Sequence, residues 1–522
     1  MRISTAQYYE TTAANYQRNY ANTLKSSAEA SSMIKLNTAA DDPIGAARLL
    51  QLGQQSSMLD QYAGNISSLK GAYSQSETAL SAIGNALQRA KELALGANNG
   101  TQTDADRQAA AQELGQIQSQ VLGLMNSQDA NGNYLFGGSK TSTPPYTANS
   151  DGTYSYNGDQ SKLNLAIGDS MSVASNTTGW DAFQQAINTS RTQTSMTAPA
   201  VDDGRVTLSG GQVSNSGTYD SKFAAGQPYT VNFLSSTQLQ ITDTLGNDVT
   251  AEASQNGVIS NSNGANQTVS FRGVELSLNI NLKPGDINPD AVIAGHTFQL
   301  SAQTDTINAS RSPANPSTAV ITGAAQSNST AYNSTFPAGG AILKFTSATA
   351  YDLYASPITA GSKPVSSGTM AGATATAAGV TFTLGGTPAA GDQFVVQPNN
   401  HQTQNVLDTL GQLRTALNTP ADNNPVALQK MQAAVSSGIG NLDSAQAQVS
   451  SQITSVGVRG QVLDDQTTTN QSLGLANSAS QSAIRDSDPA EVMTRLTLQQ
   501  TMLQAAQLAF SKISQLGLFN KI

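Results

Sequence analysis

Cysteine is absent from the 522 residues, tryptophan occurs once, and there are two histidines. The first absence excludes disulfides, thiolate metal ligands and thiol nucleophiles. Charge is scarce as well, at 12% of residues with a net value of -9. A thin, scattered population of Lys and Arg does not build the basic surface that nucleic acid requires. No apolar run reaches the roughly 18 residues of a membrane-spanning helix, so no membrane partner is expected. The opening MRISTAQYYETTAANYQRNY has no apolar core segment, and a cleaved signal peptide is not expected. Apolar content is 38% and aromatic content 5%. Such a composition suits long thin helices and a polar β region better than one large core. A chain of this length holds about three domains.

Catalytic constellations are missing too. His296 and His401 lie in different regions, and there is no HExxH segment, P-loop or dinucleotide fingerprint. Asp151, Asp159 and Asp169 fit no calcium-loop spacing and read as solvated turn acids. Gly137-Gly138 reads as a hairpin turn, and Trp180 as a packing plug. The expectation is a protein that is not an enzyme and carries no metal or cofactor.

What is present begins at the C-terminal end. Asp488 caps a helix, Pro489 fits its first position, and Glu491 stands where a capping-box acid would. Val492, Leu496, Leu503, Ala506, Phe510 and Ile513 then follow a 4-3 alternation, with polar Gln499 in one slot. That is a coiled-coil seam needing a partner. Residues 1–40 read as a helix with a slimmer seam, Ala6, Tyr9, Ala13, Tyr16 and Tyr20. Asp42 and Pro43 cap and start the next helix, whose seam runs from Leu52 to Ala94 with polar Gln55 and Ser76 in two slots. A third helix spans about 104–125, a short one carries Val406, Leu410, Leu413 and Leu417, and another runs from about Val426 to Leu463. A Thr-, Asn- and Ser-rich stretch then leads to Asp488.

Between the helical halves the period changes. Tyr134–Gly138 and Tyr154–Asp159 read as strands with turns, and from about 175 to 400 strand-like runs alternate with Gly, Asn, Ser and Pro. This insert repeats. Gly210–Gly226 aligns with Gly323–Gly339, pairing Asn215 with Asn328, Tyr219 with Tyr332 and Phe223 with Phe336. Val269-Ser270-Phe271 pairs with Val380-Thr381-Phe382, and Gly295–Phe298 with Gly391–Phe394. Two β modules in tandem are expected. The fold class is mixed α and β by domain: a long antiparallel coiled-coil helical body with inserted all-β modules.

Three segments resemble the flagellin superfamily. NTAADDPIGAARLLQL at 37–52 is similar to its first helix junction. GNYLFGGSKTSTPPY at 132–146 is similar to the hairpin of its hook-associated members, and SAIRD at 482–486 with LGLFN at 516–520 to its C-termini. The opening MRIST resembles the branch that joins flagellar hook to filament. The resemblance implies a structural subunit of the bacterial flagellum, exported through the type III apparatus and assembled as a ring. Its implied partners are a hook-side junction protein, flagellin, further copies of itself and an export chaperone. Residues 1–42 and 485–522 would form an inner tube domain. Residues 43–175 and 401–484 would form a helical rod with a β-hairpin, carrying β modules at 176–305 and 306–400. The subunit-contact seam would comprise Val492, Leu496, Leu503, Phe510 and Ile513 with Tyr9, Tyr16 and Tyr20. The alternatives are flagellin itself, or a secreted adhesin with its function in the modules.

Overall fold

The computed structural model describes residues 2–149, 152–312 and 314–519. Asp151 and Asn520 therefore lie outside the described residues. Six long helices carry the two halves of the chain: α1 (Arg2–Ser32), α2 (Pro43–Ala97), α3 (Asp104–Met125), α4 (Val406–Leu417), α5 (Pro425–Arg485) and α6 (Pro489–Phe519). The chain divides into two compact units, and the division falls within α2 and α5. One comprises the described residues up to Tyr73, Asn164–Ser175 and those from Gly457 onward; the other comprises Ser74–Leu163 and Asn176–Val456.

In the first unit α2 and α5 run antiparallel. Lys70 Nζ meets Asp464 at 2.6 Å, and Asn477 Nδ2 donates to the Leu52 carbonyl at 2.8 Å. A two-stranded hairpin, Asn164–Gly168 with Met171–Ala174, is tied to both helices. Asn65 Nδ2 donates to Ala166 O at 2.7 Å, Asn470 Nδ2 to Ile167 O at 2.9 Å and Tyr73 Oη to Ala174 O at 2.5 Å. The sequence reading stopped α5 at Leu463, whereas the helix continues through the Thr/Asn/Ser stretch to Arg485. The reason is that these polar groups find partners on the helix surface. Thr467, Thr468 and Thr469 return their hydroxyls to carbonyls one turn back, and Asn470 and Asn477 are buried on neighbouring backbone.

In the second unit the seam of α2 closes. Ile83, Leu87, Ala90 and Ala94 are buried, as are Met431, Val435, Leu442, Ala445 and Val449 of α5. Lys91–Asp443 at 2.5 Å and Asn98–Ser436 at 3.1 Å fix the antiparallel register. α3 starts in a capping box between Thr103 and Asp106, and packs on α4. Gly438 of α5 is slim for a reason: a Cβ there would stand 2.4 Å from Leu413 of α4. Arg107, 1% exposed, clasps Asp104, Asp422 and the Gln102 carbonyl, an ion cluster that no sequence signal announced. The expected strand at Tyr134–Gly138 is instead a chain of turns. Its backbone groups bond to scattered partners, Tyr134 to Thr141, Leu135 to Ser127 and Phe136 to Gly179, so no ladder can form. The paired strands here are Tyr146–Ala148 and Tyr154–Tyr156. The aromatic plug is Phe183, fully buried against Phe136 and Tyr146, while Trp180 is 36% exposed at the rim.

The insert folds as two sandwiches. Module 1 has strands β1 (Thr192–Ala198), β2 (Val206–Leu208), β3 (Gln212–Val213), β4 (Tyr229–Ser235), β5 (Gln238–Thr242), β6 (Gln267–Phe271), β7 (Val274–Ile280) and β8 (Thr297–Ala302). Module 2 has β9 (Thr306–Arg311), β10 (Val320–Gln326), β11 (Ala341–Phe345), β12 (Ala350–Ala355), β13 (Ser366–Thr369), β14 (Thr374–Ala377), β15 (Val380–Gly385) and β16 (Gln393–Asn399). The orders are β5-β4-β8-β1 over β6-β7-β2 in module 1, and β12-β11-β16-β9 over β14-β15-β10 in module 2. These are the same topology, with β13 added to one edge of module 2 and β3 pairing with β7 in module 1.

The repeated residues have the same structural work in each copy. Asn215 and Asn328 cap the short helical segment, accepting from Thr218 N and Ala331 N. Tyr219 stacks on Phe223 at 5.1 Å, and Tyr332 on Phe336 at 5.0 Å. Gly273 and Gly379 sit at φ +83° and +78°, where a Cβ would meet the carbonyl of the capping asparagine at 2.6 Å and 2.4 Å. These glycines correct one sequence pairing. Val380 follows Gly379 as Val274 follows Gly273, so β15 corresponds to β7; Val269–Phe271 lies one strand earlier. The reading aligned two like-spaced Val-x-Phe strands when the turn glycine was the true marker.

Candidate assembly surface

α1 and α6 pack against one another in the first unit. The entry to this pair is fastened by backbone. Ser487 N donates to Met33 O at 2.9 Å, Lys35 N to Arg485 O at 2.9 Å, and Ile34 bridges Asp486 in antiparallel sense. Side chains add to it. Glu29 takes the guanidinium of Arg495 and the hydroxyl of Ser487, the latter at 2.8 Å. Burial would raise the Glu29 carboxyl, but these donors outweigh it and hold the pKa below the usual range.

The caps sit at the two corners. Asp42 accepts from Ile44 N at 3.1 Å and Gly45 N at 3.0 Å, with Pro43 opening α2. Asp488 accepts from Ala490 N at 2.8 Å, with Pro489 opening α6. Glu491 faces Arg495 at 3.7 Å along the helix. Beside Asp42, Asp41 is held down to about 2 by Lys25, 2.8 Å away, and by the Thr38 amide and hydroxyl.

Along the seam, burial is partial. Val492 is buried, whereas Leu496, Leu503, Ala506 and Phe510 are half-buried. Phe510 stacks on Tyr16 at 5.9 Å, and Tyr16 on Tyr20 at 6.4 Å, with Tyr20 exposed. The side chains of Tyr9 and Ile513 lie outside the described residues. The sequence reading missed the opposite side of the same helix. Met493, Leu498, Met502 and Leu508 project at other angles, each more than half exposed. Their signal was available: from Leu496 to Ser511 the helix carries no charge at all. These exposed apolar residues are interleaved with exposed Thr497, Gln500, Thr501, Gln504 and Gln507, and α1 covers one side of the helix.

Among the described residues no cluster of His, Asp or Glu could hold a metal ion, and no helix is long and apolar enough to cross a membrane. Asp159 accepts from Ser139 N at 2.8 Å and Ser161 N at 2.9 Å, and with the Ser139 hydroxyl this lowers its pKa to about 2. Asp169 lies in the turn of the 164–174 hairpin. His296 is buried between Ile293 O and Asp203, and His401 rests on Thr304 O at 3.0 Å.

Residues 3–141 match the bacterial flagellin N-terminal helical region, and residues 439–520 the bacterial flagellin C-terminal helical region. Flagellar hook-associated protein 3 of Salmonella typhimurium is 31% identical over 183 residues, 35% of this chain and 57% of that protein. The Escherichia coli protein of the same name is 32% identical over 147 residues, 28% of this chain and 46% of that protein. The chain thus spans about half the length of the curated relatives it matches. The crystal structure of flagellar hook-associated protein-3 from Legionella pneumophila superposes with a TM-score of 0.51 at 19% identity, covering 82% of this chain and 96% of that one, a likeness of fold. The chain thus carries flagellin-type helical regions at both ends, with a β-rich insert between them.

Proposed function

We propose that this protein is a structural adaptor of the bacterial flagellum, placed outside the cell at the junction of hook and filament. The observation that carries the reading is α6, whose apolar residues point to several sides while α1 covers one. Neighbouring subunits that cover these exposed apolar side chains would stabilise the helix further. The relatives named as hook-associated proteins direct the reading to the junction.

The mechanism is geometric. Residues 1–42 and 485–522 form the inner wall of a tube, copies of the chain close into a ring, and the ring offers one side to a hook-side junction protein and the other to flagellin. Residues 43–175 and 401–484 stand outside as a rod carrying the β modules at 176–305 and 306–400. The chain reaches the site through type III export without a cleaved signal peptide, with a chaperone covering α6 on the way. Clean deletion of the coding sequence tests this. Cells should keep hooks and shed unpolymerised flagellin into the medium. Filaments of normal length on deleted cells would sink the reading. Thousands of copies along each filament, rather than a ring of few, would make the chain a flagellin.

A further inference from the structure

The repeated tyrosines of the two modules do more than stack. Tyr219 Oη donates to Arg191 O at 3.2 Å, and Arg191 is the residue before β1. Tyr332 Oη donates to Asp305 Oδ2 at 2.7 Å, and Asp305 is the residue before β9. The same position in each copy thus ties the module to the strand that enters it. For module 2 that entry is the link from module 1. It is Gln303, Thr304 and Asp305, between the end of β8 and the start of β9. Each of these residues is held from a different part of the chain. Gln303 N donates to Arg191 O at 2.8 Å. The Thr304 carbonyl accepts from His401 Nε2 at 3.0 Å, on the chain leaving module 2. Asp305 accepts the Tyr332 hydroxyl. His401 is itself set in the left-handed region, φ +57°, with its amide on Asn399 Oδ1 at 3.0 Å. A non-glycine residue keeps such a backbone only where its surroundings impose it.

We infer that residues 303–305 are a latched hinge, at which His401 and Tyr332 hold module 2 at one inclination to module 1. Two observations make it a hinge rather than a rigid joint. The modules are self-contained, since among the described residues their cores share no side chain. The way out of the insert is anchored separately. Asn188 N donates to Gln402 O at 3.0 Å, and Thr403 and Gln404 pair with Ile187 and Ala186. The link itself is therefore fixed by single hydrogen bonds, not by a packed interface. A sandwich core opens as a cooperative unit, whereas one hydrogen bond opens alone and at far smaller cost. Load on module 2 parts the latch before it parts either sandwich, and the three-residue link then turns about its own backbone. The device belongs to the insert and stands whether or not the terminal helices assemble as proposed.

The experiment measures the distance between the modules in the full-length chain. With no native cysteine, Ala265→Cys in module 1 and Ala348→Cys in module 2, both exposed, take nitroxide labels cleanly. Pulsed electron resonance on this pair should give one main distance peak. His401→Gly removes the imidazole at a position whose backbone suits glycine. Tyr332→Phe keeps the ring and removes the hydroxyl. Each should raise the population outside the main peak about two- to tenfold, the shift that loss of one hydrogen bond gives. Hydrogen exchange in β11 and β16 should stay as it was. His401 lies outside the module 2 core, so a broader distribution in His401→Gly does not come from unfolding. Unchanged distances in both variants overturn the inference. Broadening in Tyr332→Phe alone, with faster exchange in β11 and β16, overturns it too and makes the tyrosine a core residue only. A broad distribution in the labelled parent would show that nothing latches the link.

Discussion

Phe510 of α6 and Phe345 of module 2 are both aromatic residues on the inner face of their element. Phe345 is 0% exposed, packed edge-to-face on Phe394 at 5.9 Å inside a closed sandwich. Its counterpart in module 1, Phe233, is equally buried and meets Phe298 at 6.0 Å. Phe510 has Tyr16 on one side and is half-buried. Each module buries its apolar residues within some 90 to 110 residues of its own chain, so it is complete as it stands. The terminal helices reach far less closure with similar residues, because two helices offer one contact stripe and α6 carries apolar residues beyond it. In the modules burial serves stability; in the terminal helices the shortfall is what the proposed association would make up.

The largest expected effect breaks this comparison at α6. Phe510→Asp should abolish ordered association, because a charge would be buried between subunits. It should scarcely move the melting of the unassembled chain, and a large drop there would show that α6 is already fully covered. Next come the module cores. Phe233→Ala and Phe345→Ala should each cost about 3–5 kcal/mol in their own module. Urea unfolding followed module by module checks this, and a small loss in one alone would mean that its sandwich collapses to refill the space.

The paired turn glycines sharpen the likeness of the modules. Gly273→Ala and Gly379→Ala should destabilise each by about 1–3 kcal/mol, since positive φ and close contact with the asparagine carbonyl both oppose a Cβ. Equal losses support one turn design used twice. The smallest effect is on acid sensitivity. Asp41 in the first unit and Asp159 in the second both have carboxyls lowered to about 2 from an ordinary 3.8. A depressed carboxyl contributes stability that is full above the unfolded value and fades as pH falls through the folded one. Replacement by Asn should therefore reduce melting temperature slightly at pH 7 and by clearly less near pH 2, which calorimetry at the two pH values reads directly.

Much of this was legible before the fold. The 3-4 alternation from Leu52 to Ala94 marked the long helix, and burial deepens along it from half-buried Leu59 to fully buried Leu80. The constant offset between Asn215, Tyr219, Phe223 and Asn328, Tyr332, Phe336 exposed the repeat, because each residue has a local task fixed by its neighbours in sequence. Caps such as Asp42 and Asp488 were readable for the same reason.

Periodicity, caps and repeated spacing are local, and the sequence by itself determined those: helices at both ends, with β modules between. Tertiary structure decided what depends on groups distant in the chain. Asn470 and Asn477 extend α5 only because Ile167 and Leu52 present carbonyls to them. Arg107 is buried because Asp422, far along the chain, closes its cage. The sandwich pairing places β15 opposite β10 and β14, against the resemblance of Val380 to Val269. A polar side chain reads as solvated until a remote partner is placed beside it, since its desolvation is offset only by that hydrogen bond.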